Sequence, residues 1–198
     1  NSDYAINADQ YQDHGHDHVG NDRGAETHPV MGYNYRISEL HAAVGLGQLG
    51  KLDDILAIQK RNYTIVRNAL STIEGLTFRE VPEGGEENYS FVSFFFPNEE
   101  LAKKAHKALG DNGVDANFYW YTNNWHYING WEHLRNVKSL GNVTGEVRNY
   151  LEKLNNTDFS KSDAIMSRTV SSLVKIGWTE DEVKERAEKM RKAIASVL

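Results

Sequence analysis

Four stretches of the chain carry side chains whose types and spacing suit chemistry. The first is Asp13-His14-Gly15-His16-Asp17-His18. Alternate histidines beside carboxylates offer nitrogen and oxygen donors of the kind that ligate Zn²⁺ or another divalent metal. The metal-binding run H-x-H-x-D-H would need Asp at 18 and His at 19, where this chain has His18 and Val19. The spacing therefore favours a polar loop of hydrogen-bonding histidines, and no metal is assigned. The second stretch is Gly32-Tyr33-Asn34-Tyr35-Arg36-Ile37-Ser38-Glu39-Leu40. Turn residues run straight into a helix start, where unpaired N–H groups beside an amide and a guanidinium hold an anion such as a phosphate. The same residues also serve as a plain helix cap (Asn34) and a surface ion-pair partner (Arg36).

The third stretch runs from Phe118 to Tyr127, FYWYTNNWHY. Aromatic faces stack on sugar C–H surfaces, and amides bind hydroxyls, so Asn124 and His126 after the strand are candidates for carbohydrate contact. Phe118 and Trp120 stand evenly between that role and the core. In the fourth, Ser167-Arg168-Thr169, an arginine among small hydroxyl residues either clamps a carboxylate or lies exposed on an edge strand.

These residues sit in 198 residues with a formal charge of −6 and no cysteine. That excludes a disulfide framework, a thiolate metal site and a cysteine nucleophile. An acidic chain does not advertise a nucleic-acid groove or an anionic-membrane surface. Neither a Gly-rich phosphate loop nor a Gly-x-Ser-x-Gly elbow is present, which argues against a nucleoside-triphosphate site and a serine hydrolase. Without a signal sequence or an apolar run of spanning length, the expectation is a soluble, cytoplasmic protein. The charge is uneven: residues 1–36 hold six acids, two bases and four of the eight histidines. That segment is too polar to form a core by itself, and its start on Asn1-Ser2-Asp3 reads as cut from something longer.

The elements that must position these groups follow from periodicity. A short helix is expected over residues 3–12, then loop from Asp13 to Met31. Apolar residues at Ile37, Leu40, Val44, Leu49, Leu52, Leu56, Val66 and Leu70 predict one long or two joined helices over 36–73. Gly45, Gly47 and Gly50 there suit close packing at an interface. Strands are predicted over Leu76–Val81, Tyr89–Phe96 (covered on both faces), Val114–Tyr121 and Ser167–Val174. Asn98 caps a helix with Leu101, Ala105, Ala108 and Leu109 on its buried face. Residues 122–165 are irregular. Thr179 to Glu182 form a capping box ahead of a helix with the stripe Val183, Ala187, Met190, Ile194 and Val197. The pattern predicts an α+β fold, a largely antiparallel sheet with helices on one face.

The frame Gly32-x-Asn34-x-Arg36-x-Ser38-Glu39-x-x-Ala42-Ala43-x-Gly45-x-x-Gln48-Leu49 resembles the signature of the DegT/DnrJ/EryC1/StrS family. Those are pyridoxal-phosphate-dependent sugar aminotransferases of the aspartate-aminotransferase fold. Tyr11-Gln12-Asp13-His14-Gly15 resembles a loop of the same family, and the likeness extends over essentially the whole chain. It implies the C-terminal small domain of that fold at 37–198. Residues 1–36 would be an interface and active-site loop of a large cofactor domain that is mostly missing. It implies pyridoxal 5'-phosphate and a homodimer with its active site at the subunit interface. Asn34 would reach the cofactor phosphate of the opposite subunit. His14 and the loop to Arg23 would border the active site, and Asn124 and His126 the sugar side. Arg168 would meet a carboxylate of glutamate or of the sugar acid.

The runs His14–His18, Gly20–Gly24, Asn123–Tyr127 and Lys161–Thr169 look most like one branch. That branch transfers an amino group from glutamate to the 8-oxo form of the octulosonic acid Kdo, giving 8-amino-Kdo for lipopolysaccharide. The alternatives are a related dehydratase branch, in which histidine replaces the cofactor-holding lysine, and a non-catalytic carbohydrate-binding fragment. None of the twelve lysines stands in the family's Schiff-base context, so the expectation is that the lysine is missing from this segment and that the segment is inactive alone.

Overall fold

The computed structural model describes residues 1–20, 26–123 and 126–198. It falls into two compact units, Asn1–Leu52 and Asp53–Leu198, and the break lies inside the predicted helical stretch.

In the first unit, α1 (Ser2–Gln12) starts at Asn1, whose side chain accepts from the Asp3 N–H. The second helix, α2 (Glu39–Leu49), starts at Ser38 and stops at Gly50. The long helical stretch is therefore two joined helices, with α3 beginning at Leu52. The expected one-sided apolar stripe is not kept on α2, whose apolar residues are spread around the helix, and no residue of that helix is buried. Leu40, Val44 and Leu49 are all exposed.

The second unit is built on a four-stranded sheet. Its strands are β1 (Thr77–Phe78), β2 (Phe91–Phe95), β3 (Asn117–Phe118) and β4 (Thr169–Leu173), in the order β1-β2-β4-β3. Every pairing is antiparallel. Phe91 stands opposite Leu173, and Phe95 opposite Thr169. Side chains alternate across a pleated strand, so Val92, Phe94 and Val170 point to one face. There they join a buried cluster with Val66 and Leu70 of α3 (Leu52–Ser71), Ala102, Ala105 and Leu109 of α4 (Glu99–Asp111), and Val183, Met190 and Ile194 of α8 (Glu180–Ala195).

The other face of β2 is only half-buried, through Phe91, Ser93 and Phe95. The expectation of a strand covered on both faces is corrected accordingly: YSFVSFFF is rich in β-formers, but only its even positions reach the helix-covered core. The weakly alternating Ser167–Val174 is, by contrast, a central strand, with Thr169 to Ser172 all buried. Its hydroxyls are accommodated there, Ser171 Oγ lying 2.8 Å from Ser93 Oγ. The two edge strands are two residues each: β1 pairs only with Phe94 and Phe95 of β2, and β3 only with Ser171 and Ser172 of β4.

Caps behave as their chemistry predicts. Asn98 accepts from the Leu101 N–H at 3.0 Å. Thr179 and Glu182 form the full reciprocal capping box. On α4, Ala102 is fully buried, whereas Leu101 and Ala108 are only partly so. The irregular stretch holds a 3-10 turn (Ile128–Gly130), α5 (Glu132–Arg135), α6 (Gly145–Asn155) and α7 (Ser160–Met166). Asn62 of α3 is fully buried and donates from Nδ2 to the carbonyls of Lys175 (3.0 Å) and Trp178 (3.4 Å). It thereby ties α3 to the turn after β4. Among the described residues, no helix is long and apolar enough to cross a membrane.

Candidate functional site

Gly15 and Gly32 hold the first unit's polar loop together. At Gly15 φ is +89°, and a Cβ there would sit 2.0 Å from the Val30 carbonyl oxygen. A Cβ on Gly32 would sit 2.3 Å from the Gly15 nitrogen. Only glycine allows two backbones this close. The contact lets residues 11–14 and 33–35 pair: Tyr33 N–H donates to Tyr11 O (2.8 Å), His14 N–H to Tyr33 O (2.9 Å) and Tyr35 N–H to Gln12 O (2.8 Å). Asp13 and Asn34 face one another across this antiparallel bridge. Two stretches that the sequence offers separately, the histidine run and the helix-start loop, thus form one site.

Asp13 is the hub. Its Oδ1 lies 3.0 Å from His14 Nδ1 and 3.3 Å from Arg36 Nε, and its Oδ2 lies 3.3 Å from His18 Nε2. The opposite ring nitrogen of His18 meets Asp9 Oδ2 at 2.7 Å. The hydrogen bond from His14, then that from His18 and the charge of Arg36, hold the Asp13 carboxyl below the usual aspartate value. Asp9, and after it Asp13, raise the His18 pKa above 6.5. Thr27 Oγ1 donates to Asp17 at 2.5 Å and lowers the Asp17 pKa. His16 Nδ1 lies 2.8 Å from Glu26 Oε2, and its ring is 4.2 Å from that of His28. The donor atoms of Asp13, His14 and His16 lie within 4.8 Å of one another, but Asp13 is already the counter-charge of Arg36.

Arg36 extends the site to Asn34. Its Nε–H and backbone N–H both point at Asn34 Oδ1, at 3.2 and 3.4 Å. Two residues on, Ser38 caps α2 by accepting from the His41 N–H.

The second unit carries the aromatic candidates. Phe118 and Trp120 stack with centroids 4.6 Å apart and planes 4° apart, and Phe91 meets both edge-on. His126 packs edge-on against Trp120 at 4.9 Å. Between these two, Tyr119 turns the other way: it is buried, its hydroxyl donates to Ser167 O at 2.7 Å, and burial pushes its pKa up to about 12. Arg168 is half-buried, donates from Nη1 to Phe96 O at 3.1 Å and lies over the Phe95 ring.

Of the expected site residues, the structure brings His14 and Asn34 together in the first unit and puts His126 and Arg168 in the second. Arg23 and Asn124 lie outside the described residues. One network escaped the sequence reading. The Tyr127 hydroxyl donates to Asp163, and Asn129 Nδ2 donates to the same carboxylate at 3.0 Å. Burial, and then Asp163, push the Tyr127 pKa up. No spacing rule links residues 36 positions apart.

The family model for the DegT/DnrJ/EryC1/StrS aminotransferases matches residues 1–191. A 3-amino-5-hydroxybenzoate synthase of Amycolatopsis mediterranei is 30% identical over 92 residues, 45% of this chain and 23% of that protein. The sugar aminotransferase CalS13 of Micromonospora echinospora superposes with a TM-score of 0.66 at 19% identity, covering 100% of this chain and 46% of that one. AtS13 of Actinomadura melliaura gives 0.64 at 18% identity, covering 99% and 45%. This chain spans about half the length of those solved structures. It belongs to the DegT/DnrJ/EryC1/StrS aminotransferase family.

Proposed function

We propose that the protein is a pyridoxal-phosphate-dependent aminotransferase that moves an amino group from glutamate to a keto-sugar. The acceptor we favour is 8-oxo-Kdo, in lipopolysaccharide biosynthesis. The observation that carries the proposal is the Asp13–Asn34 bridge at the start of α2. It sets the Asn34 amide against the Arg36 side chain, two residues ahead of the Ser38 cap of α2, within a family whose members use this cofactor. The donor set fits a phosphate. The Asp13 carboxylate is paired with the Arg36 guanidinium, which offsets its repulsion of an anion.

When bound, the cofactor supplies an electron sink for the carbon that loses or gains the amino group. The cofactor is held mainly by residues outside this segment, to which this chain adds the following groups. Asn34 donates to the phosphate of the opposite subunit's cofactor in a homodimer. His14 and Arg23 border the site. Asn124 and His126 meet the sugar, with the Phe118–Trp120 stack behind His126. Arg168 takes a carboxylate of glutamate or of the sugar acid. The lysine that holds the cofactor is supplied from outside residues 1–198, because none of the twelve lysines stands in the family's context.

The test uses the full-length protein with glutamate and the 8-oxo sugar. Amino transfer that Asn34→Ala weakens supports the reading. Loss of the amino donor requirement, with water eliminated from the sugar instead, would establish the dehydratase alternative. Borohydride trapping followed by peptide mapping reads the lysine directly, and an adduct on a lysine within residues 1–198 would overturn its placement.

A further inference from the structure

We propose that Asp13 is a positioning residue that orients the Asn34 amide, through Arg36, so that its NH₂ group faces the cofactor phosphate. This rests on the reading of Asn34 as a phosphate donor. The argument begins with the chemistry of Arg36, whose Nε–H and backbone N–H can only donate. Both lie within hydrogen-bonding reach of one end of the Asn34 amide, at 3.2 and 3.4 Å. That end must therefore be the oxygen, whatever conformation an isolated asparagine would prefer. The NH₂ end is turned away, and among the described residues it donates to nothing in the protein.

The guanidinium itself has to be held. Asp13 Oδ1 does this at 3.3 Å from Nε, the same nitrogen that meets Asn34. Asp13 is in turn held at both oxygens. Its side chain is only 16% exposed, His14 approaches Oδ1, and His18 bridges Oδ2 to Asp9. The backbone bridge between Asp13 and Asn34 fixes the distance between the two side chains. The chain from Asp9 through His18, Asp13 and Arg36 to Asn34 is continuous, and each link has one geometry. Without Asp13, the exposed Arg36 side chain has no partner to keep it against the amide oxygen. The amide then rotates, and its donors point at the phosphate for only part of the time.

The experiment measures the ratio of affinities for pyridoxal phosphate and pyridoxal in the full-length protein, by fluorescence titration. That ratio isolates the phosphate contribution. Asn34→Ala is expected to lower it about tenfold, the usual worth of a hydrogen bond to a charged group. Asp13→Asn is expected to lower it about threefold to tenfold on the same scale, and Asp13→Glu to restore most of the loss. In the Asn34→Ala background, Asp13→Asn should change the ratio no further, whereas a general structural defect would add to it. The Asn34 side-chain amide resonances should also shift in Asp13→Asn without ligand. Should Asp13→Asn fail to fold, Arg36→Lys, which keeps the charge and removes the Nε–H, is read in its place. An unchanged ratio in Asn34→Ala overturns the phosphate reading. A reduced ratio in Asn34→Ala with wild-type ratios in Asp13→Asn or Arg36→Lys overturns the positioning role alone.

Discussion

Gly32→Ala tests the scaffold beneath the site. The added Cβ would lie 2.3 Å from the Gly15 nitrogen, 2.7 Å from the His14 carbonyl carbon and 3.0 Å from the Gln10 carbonyl oxygen. All three are main-chain atoms, so no rotamer change relieves the clash, and the two segments must part. Parting breaks the hydrogen bonds that Tyr33, His14 and Tyr35 donate across the bridge. At about 1 kcal/mol each, their loss costs about 3 kcal/mol of local stability, or on the order of a hundredfold in local opening. Amide hydrogen exchange reads this directly: the His14, Tyr33 and Tyr35 amides should lose protection on the order of a hundredfold, while the Val92 and Val170 amides in the sheet keep theirs. The pyridoxal phosphate to pyridoxal ratio should fall as well, since Asn34 no longer stands opposite Asp13. Wild-type protection of the three amides in Gly32→Ala would show that the two glycines do not build the site.

Three further outcomes follow from the same structure. Asn62→Leu removes the side-chain donor to the Lys175 carbonyl, while the Trp178 carbonyl keeps Arg61 Nη2 at 3.2 Å, and should destabilise the second unit by about 1–3 kcal/mol, read by urea unfolding. Thr179→Ala removes the hydroxyl that accepts from the Glu182 N–H and should cost about 1 kcal/mol, lowering Tm by about 2–4 °C. His18, raised by Asp9 and Asp13, should titrate above 6.5 by NMR. Its contribution to loop stability is complete below pH 6.5 and lost as pH rises through the raised value. Asp13, lowered by His14, contributes fully above pH 3.8 and loses that contribution as pH falls through its lowered value. Protection of the His14 amide should therefore be greatest between about pH 4 and 6.5.

The parts of the fold that local chemistry controls are readable in the sequence. Asn98 and the Thr179–Glu182 box cap their helices because a cap needs only residues three positions apart. Long-range pairing is where the reading thins. Helices do run from Glu39 onward, but the apolar residues of α2 are spread around it and none is buried, whereas α3 keeps one buried face through Asn62, Val66 and Leu70. Ser167–Val174 shows weak alternation because it is central, and a central strand is buried on both faces. Its serines disguise it, since the partner hydroxyl of Ser171 lies 78 residues away on Ser93.

The site divides along the same line. Residue types flag the histidine run and the Asn34–Arg36 turn separately, and each alone has an unremarkable explanation. What joins them is a backbone crossing at Gly15 and Gly32, and a glycine in a polar loop looks like any other turn glycine until the second backbone is in place. The crossing also changes what the histidines mean. Apart, His14, His16 and His18 suggest metal ligands. Placed beside Asp9, Asp13 and Arg36, His14 and His18 become hydrogen-bond partners of a carboxylate whose second task is to hold a guanidinium. The same carboxylate cannot be both the principal ligand of a cation and the counter-charge of Arg36 without the second role weakening. That competition is itself measurable: if Zn²⁺ binds the Asp13–His14–His16 group in preference, added zinc should release Arg36 and lower the pyridoxal phosphate to pyridoxal ratio as Asp13→Asn does. A ratio indifferent to zinc leaves Asp13 to Arg36.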